Sequence, residues 1–187
     1  MAQASHLPAG TNSHNMKRLT LKIIGEIRSP FTQSAGTPVQ SALAKAVEGC
    51  VEIFPQFAAG LQDLAGFDRV WLLYWFDRAI QSRLVVRPFL DTQERGVFAT
   101  RAPCRPNPIG LSCVRLLGID GRQLRIRGVD VLDKTPLVDI KPYVPQFDRF
   151  IARRTGWLQG KAAGKVPADA RFERSGGTGA PSRRQKG

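Results

Sequence analysis

Apolar residues recur along this chain with a period of two, in short stretches bounded by turn residues. That is the pattern of strands with one covered face. In residues 19–28, Leu19, Leu21, Ile23, Gly25 and Ile27 share one face, and Ile24 interrupts the polar phase of the other. A strand with both faces partly covered is expected there. Residues 49–54 predict a second short strand, and residues 57–64 a helical turn ending near Gly66. Residues 69–76 form a near-continuous apolar and aromatic run, which predicts a central strand. Residues 84–89 and 96–101 are further strand candidates. Residues 111–119 and 123–131 flank Asp120-Gly121, a hairpin signal. The apolar phase of the second stretch slips at Gly128, which predicts a bulge. Residues 137–143 supply a last strand. Some seven short strands with frequent turns and few helices predict an all-β or β-rich fold, a single small β-barrel with short helices.

The ends read differently. Residues 1–16 are rich in Ala, Ser, Asn, Gly and Pro without periodicity, which predicts a disordered leader. Met16 directly precedes the first strand pattern and is a candidate start. Residues 17–160 form the expected barrel domain, and residues 161–187 a basic flexible tail. The formal net charge is +13, which points to an anionic partner such as nucleic acid. Ten of those charges lie in two end segments. Residues 1–22 carry Lys17, Arg18 and Lys22 and no acid, and residues 153–187 carry nine bases and two acids. The apolar runs are far shorter than the roughly 20 residues that span a bilayer, and no signal-peptide pattern appears. A soluble cytoplasmic protein without membrane attachment is expected.

Absent residues exclude chemistry. The only histidines, His6 and His14, stand in the leader, which argues against a Ser-His-Asp triad or a histidine metal site in the barrel. Cys50, Cys104 and Cys113 are odd in number and lack C-x-x-C spacing, so free thiols and no metal are expected. Cys104 sits in an arginine-rich loop that can depress its pKa, although no histidine base accompanies it. No G-x-G-x-x-G or P-loop is present.

Three polar segments remain. Arg101-Ala-Pro-Cys-Arg-Pro-Asn-Pro-Ile-Gly110 is stiffened by three prolines, so it is neither a helix nor an inner strand. It presents Arg101, Arg105 and Asn107 rigidly, either for a carboxylate, phosphate or base edge or merely to solvent. The stretch from Asp130 to Tyr143 packs Asp130, Asp133, Asp139, Lys134 and Lys141 together. That suits acid–base work, and equally turn capping and ion pairing. Gly36-Thr-Pro-Val-Gln40-Ser41-Ala42 reads as an ordinary connection.

Several blocks together carry a resemblance. Ile24-Gly-Glu-Ile-Arg-Ser-Pro30, Gly66-Phe-Asp-Arg-Val-Trp-Leu72, Gly96-Val-Phe-Ala-Thr-Arg101, Arg105-Pro-Asn-Pro-Ile-Gly110 and Thr135-Pro-Leu-Val-Asp-Ile-Lys-Pro-Tyr143 resemble, in order and spacing, the signature blocks of the TsaA-like (YaeB-like, TrmO) family. The resemblance runs from residue 19 to about Trp157. It implies a methyltransferase that uses S-adenosylmethionine (SAM) to methylate N6 of the threonylcarbamoyl-modified adenosine 3′ of the tRNA anticodon. It implies a homodimeric β-barrel rather than a Rossmann sheet. The family's SAM contacts fall on Gln40, Ser41, Ala42, Phe76, Asp77, Arg101, Leu111, Asp130, Val131, Leu132 and Asp133. Ser41-Ala42 and Asp77 depart from the family's residues, which are Pro-Gly and His.

Transfer of a methyl group from a sulfonium to a neutral nitrogen needs alignment and exclusion of water more than a histidine base. Arg101 is a candidate partner for the carboxylate of the methionyl group or of the modified base. Asp130 or Asp133 is a candidate for the ribose or amino group. Asp139, Lys141 and Asn107 are the catalytic candidates, and Phe98 and Tyr143 are candidates for base stacking. Competing readings are an RNA-binding barrel without catalysis and a SAM-dependent enzyme for a small metabolite.

Overall fold

The structure is a computed structural model and describes residues 19–161 and 168–173. The leader and most of the tail lie outside the described residues. Eight strands form: β1 (Gly25–Arg28), β2 (Glu48–Ile53), β3 (Arg69–Trp75), β4 (Val85–Val86), β5 (Arg95–Gly96), β6 (Ile109–Asp120), β7 (Gln123–Arg127) and β8 (Thr135–Pro142). One short helix, α1 (Pro145–Asp148), and several 3₁₀ turns complete the elements.

Six strands close into an antiparallel barrel in the order β1-β2-β7-β6-β3-β8. The long β6 makes closure possible. Its residues Ile109 to Arg115 pair with β3, and its residues Arg115 to Asp120 pair with β7. That half-strand offset is the stagger a small barrel requires. Alternate residues point inward and fill the interior: Ile27, Val51, Ile53, Val70, Leu72, Val114, Leu124, Ile126 and Leu137 are at most 2% exposed. The 69–76 run is the central strand it promised to be, flanked by β6 and β8.

Three expectations are corrected. The first strand begins at Gly25, not Leu19, because β2 ends at Ile53, the partner of Gly25. Leu19 and Leu21 are exposed. Residues 96–101 are mostly a 3₁₀ turn, Val97–Ala99, following the two-residue β5. β4 and β5 pair only with each other, outside the barrel. The slip expected at Gly128 is present: at φ +97° it ends β7, its N–H and that of Val129 both donate to the Val47 carbonyl at 2.8 and 3.4 Å, and Val129 and Val131 turn into the core. Further register shifts lie on β6, between Leu116 and Gly118, and where β3 meets β8 at Leu73 and Tyr74. Finally, β6 starts at Ile109, so the proline-stiffened loop ends inside a barrel strand.

A second, smaller core forms beside the barrel from Val86, Val97, Ala102, Cys104 and Phe172. Phe172 belongs to the stretch read as the basic tail, yet residues 168–173 are folded against the body.

Candidate functional site

Antiparallel order sends three long connections out of the same end of the barrel: residues 29–47, 76–108 and 128–134. They surround a cavity of about 590 Å³. Its floor is the last inward position of β3 and the first of β6. Tyr74 lies against Gly110 so closely that a Cβ there would stand 2.1 Å from the ring. Glycine at that position is what lets the aromatic ring lie across the barrel mouth.

The floor carries a buried polar chain. Ser112 Oγ donates to Asp130 Oδ1 at 2.7 Å and lies 2.9 Å from Tyr74 Oη. With the single serine proton committed to the carboxylate, Tyr74 is the donor to Ser112. Burial pushes the Asp130 carboxyl up to about 6. The Ser112 hydroxyl, the backbone N–H groups of Asp130 and Ser41, and the Arg101 cation oppose that rise. Asp130 therefore holds a recessed carboxylate in a low-dielectric setting, where a donor or cation on a ligand gains most. Burial also raises the Tyr74 hydroxyl, with Asp130 adding to the effect.

Across the mouth, Arg101 Nη1 donates to Gln40 Oε1 at 2.6 Å, which fixes the guanidinium between two loops. Arg105 turns back to donate to the Thr100 carbonyl at 3.2 Å and stabilises the proline-rich loop from within. Asp77 is raised by burial, with neighbouring Arg78 acting against it at 3.9 Å. Arg78 Nη2 donates to the Asp133 carbonyl. Lys134 adopts a left-handed φ of 63°, a conformation non-glycine residues pay for. It forms the turn whose Thr135 hydroxyl donates to Leu132 at 2.7 Å.

The structure brings most of the candidate residues together. Gln40, Phe76, Asp77, Arg101, Asn107, Leu111, Asp130, Val131 and Leu132 all line the cavity. So does Phe98, a residue 76% exposed and free to stack. Ser41 and Ala42 stand behind it in a 3₁₀ turn, with the Ser41 backbone N–H directed at Asp130. Asp133 faces away: its Oδ1 accepts from the Ser29 N–H at 3.2 Å, and its own N–H donates to Phe31 at 2.6 Å. Asp139 and Lys141 are not among the lining residues. They pair with each other at 2.9 Å, and Asp139 borders a separate small cavity beneath Ile53 and Phe57. A strand rises about 3.3 Å per residue, so both are carried well down β8 from the mouth at Thr135. Tyr143 packs on Trp71 at 5.8 Å and is likewise outside the cavity. Cys104 is 1% exposed in the second core, and burial raises its thiol, which overturns the expectation of a depressed pKa. Among the described residues no cluster of His, Cys, Asp or Glu is placed to hold a metal ion. No described helix is long and apolar enough to cross a membrane.

Sequence reasoning missed Tyr74, Ser112 and the segment 168–173. Ser112 had a signal, since it is the one polar residue in the inward phase Gly110, Ser112, Val114, Leu116. Tyr74 was hidden in an aromatic run.

Residues 26–149 match the family model of the tRNA-methyltransferase O N-terminal domain. A probable S-adenosyl-L-methionine-binding protein of Pyrococcus abyssi is 53% identical over 136 residues, 73% of this chain and 74% of that protein. The tRNA (adenine(37)-N6)-methyltransferase of Mus musculus is 36% identical over 132 residues, 67% of this chain and 31% of the mouse protein. The crystal structure of TrmO from Pseudomonas aeruginosa matches with a TM-score of 0.65 at 40% identity, over 78% of this chain and 64% of that one. This chain thus spans less than two thirds of that solved relative. The residues matched to the family model contain the barrel but for Gly25, with its three mouth loops, and the chain belongs to the family of the tRNA-methyltransferase O N-terminal domain.

Proposed function

We propose that this protein is a SAM-dependent methyltransferase that modifies N6 of the threonylcarbamoylated adenosine beside the tRNA anticodon, as a cytoplasmic homodimer. The observation that carries the reading is the pairing of a fixed cation, Arg101, with a recessed carboxylate, Asp130, in one apolar-walled cavity. SAM presents a carboxylate, an ammonium group, a ribose diol and an adenine, and the cavity offers a cation, a carboxylate and apolar wall to receive them. Arg101 suits the carboxylate as a planar fork. Asp130 suits the diol or the ammonium group, and Phe76 and Leu132 supply apolar wall. When bound, SAM supplies an activated methyl group on a sulfonium.

The chain's own contribution is placement. Gln40 holds Arg101, Ser112, itself bonded to Tyr74, holds Asp130, and the prolines at 103, 106 and 108 keep the loop rigid. Positioning of this kind supplies much of the rate in a displacement that needs little proton transfer. Phe98 offers a face on which an unstacked base can lie, as single-stranded loops permit. Asn107, also at the mouth, presents an amide that can hold the edge of that base. Beside the mouth, the outer face of β3 and β6 exposes Trp75, Ile109 and Leu111 in adjoining positions. An apolar patch bordering the cavity suits coverage by a second copy.

The test incubates the protein with SAM and tRNA that carries N6-threonylcarbamoyladenosine, then analyses the nucleosides. The reading expects the mass of that nucleoside to rise by one methyl group. RNA binding without methylation would favour the non-catalytic barrel instead. Light scattering with and without tRNA tests the dimer.

A further inference from the structure

The cavity has one wall that lies outside residues 26–149, the part of the chain matched to the family. It is the short segment from Ala168 to Glu173, of which Ala168, Asp169, Phe172 and Glu173 line the cavity. Six residues touch three separate parts of the mouth. The Gly36 N–H donates to the Ala168 carbonyl at 3.0 Å, and the Ala168 N–H returns to the Thr37 carbonyl at 2.9 Å. Glu173 Oε2 accepts from the Ser34 N–H at 3.1 Å. On the other side, the Ile80 N–H donates to the Phe172 carbonyl at 3.1 Å, and Ala79 bridges to Glu173. Between these contacts the Phe172 ring enters the second core. It meets Phe89 edge to face at 5.1 Å and packs with Val97, Ala102 and Cys104.

Each tethered part carries residues of the site. The 34–37 stretch leads into Gln40, the 79–80 turn follows Phe76, Asp77 and Arg78, and the second core underlies Thr100 and Arg101. A second attachment precedes the segment. The Trp157 Nε1–H donates to the Ala99 carbonyl at 2.7 Å. Lys161 reaches the nearly buried Asp91 at 2.7 Å, and Arg95 reaches the same carboxylate at 2.8 Å. The chain is therefore fastened beside the loop that bears Arg101 before it arrives at the cavity.

We infer that residues 168–173 are an integral wall of the binding cavity, with Phe172 and Glu173 as positioning residues that hold two of the three mouth connections, 29–47 and 76–108, at the spacing the ligand needs. The inference rests on the reading that the cavity binds SAM. Three hydrogen bonds to the 29–47 connection, and a strand bridge and an aromatic plug on the 76–108 connection, form a cross-brace. Without it the loops bearing Gln40, Asp77 and Arg101 lose their common support, and the ordering cost falls on the ligand.

Two truncations separate this wall from the basic residues that follow it. A chain ending at Arg174 keeps the wall and loses Arg183, Arg184 and Lys186, whereas a chain ending at Lys161 loses both. Titration calorimetry with SAM should find the first equal to the full chain and the second weaker by about tenfold or more. Phe172→Ala should weaken SAM by about threefold to tenfold and raise the KM for SAM more than it lowers kcat. Phe172→Leu should restore most of the affinity by refilling the core. These point variants keep the test decisive should the shorter chain fail to fold. Equal SAM affinity in all variants would overturn the inference, as would an equal loss in the chain ending at Arg174. No SAM binding by the full-length protein would instead overturn the proposed function.

Discussion

The two ends of the barrel share one sheet but differ in everything else. At the end that holds the cavity, the connections are long, rich in proline and charge, and braced by side chains that reach across loops. At the other end β6 turns into β7 through the tight Asp120-Gly121 hairpin. The β2–β3 connection there folds into 3₁₀ turns that press Phe57, Leu61 and Leu64 onto the core. The cluster between Asp130 and Lys141 contributes to both regions, since β8 starts at the mouth and runs away from it. Asp130 ends in the cavity and Asp139 ends outside it, although they are nine residues apart and alike in chemistry. Position along a strand, more than residue type, decides which carboxylate meets a ligand.

Breaking this asymmetry should be easiest at Arg101. Arg101→Ala is expected to lower kcat/KM for methyl transfer by about a hundredfold, with Arg101→Lys recovering only part because lysine lacks the fork. Next comes Asp130→Asn, expected to weaken SAM by about tenfold. Wild-type SAM affinity should fall as pH drops through about 6, where the carboxylate takes up its proton. The Asn variant should show no such fall. Stability runs the other way. A carboxyl with a raised folded pKa stabilises the fold most when protonated, and that contribution is lost as pH rises from about 4 through 6. Asp130→Asn should therefore raise Tm at pH 8 while it weakens binding, a pairing measurable by calorimetry on one sample.

Gly110→Ala sharpens the comparison by displacing the Tyr74 ring that floors the cavity. A cost of about 1–3 kcal/mol in urea unfolding and a severalfold weaker hold on SAM are expected. Removing residues 1–18 and 175–187, which carry Lys17, Arg18, Arg183, Arg184 and Lys186, should lower tRNA affinity at low salt by severalfold and leave SAM binding unchanged. The smallest effect belongs to the far side. Asp139→Asn and Lys141→Ala break an exposed ion pair worth about 1 kcal/mol at most, and activity should stay within about twofold.

The barrel was legible because its core follows a period of two, shown by Val70 and Leu72 of β3, Val114 and Leu116 of β6, and Leu124 and Ile126 of β7. The mouth was legible in part. Arg101 and Asp130 could be placed because they stand in unusual company, prolines in one case and a turn in the other. Asp139 and Lys141 drew attention by the same density of charge, and nothing local says that β8 carries them away. Residues 168–173 left no signal, because their order comes from partners 70 to 140 residues distant in the chain. Phe172 is a single aromatic residue among polar neighbours, and only the second core explains it.

The most direct test of the account is one set of SAM binding isotherms on the wild type, Asp130→Asn and Asp139→Asn at pH 7.5 and pH 5.5. The account predicts that wild type and Asp139→Asn bind alike and both weaken at the lower pH, while Asp130→Asn binds weakly at both. Equal binding by all three, or a loss confined to Asp139→Asn, would contradict the assignment of the site to the open end of the barrel.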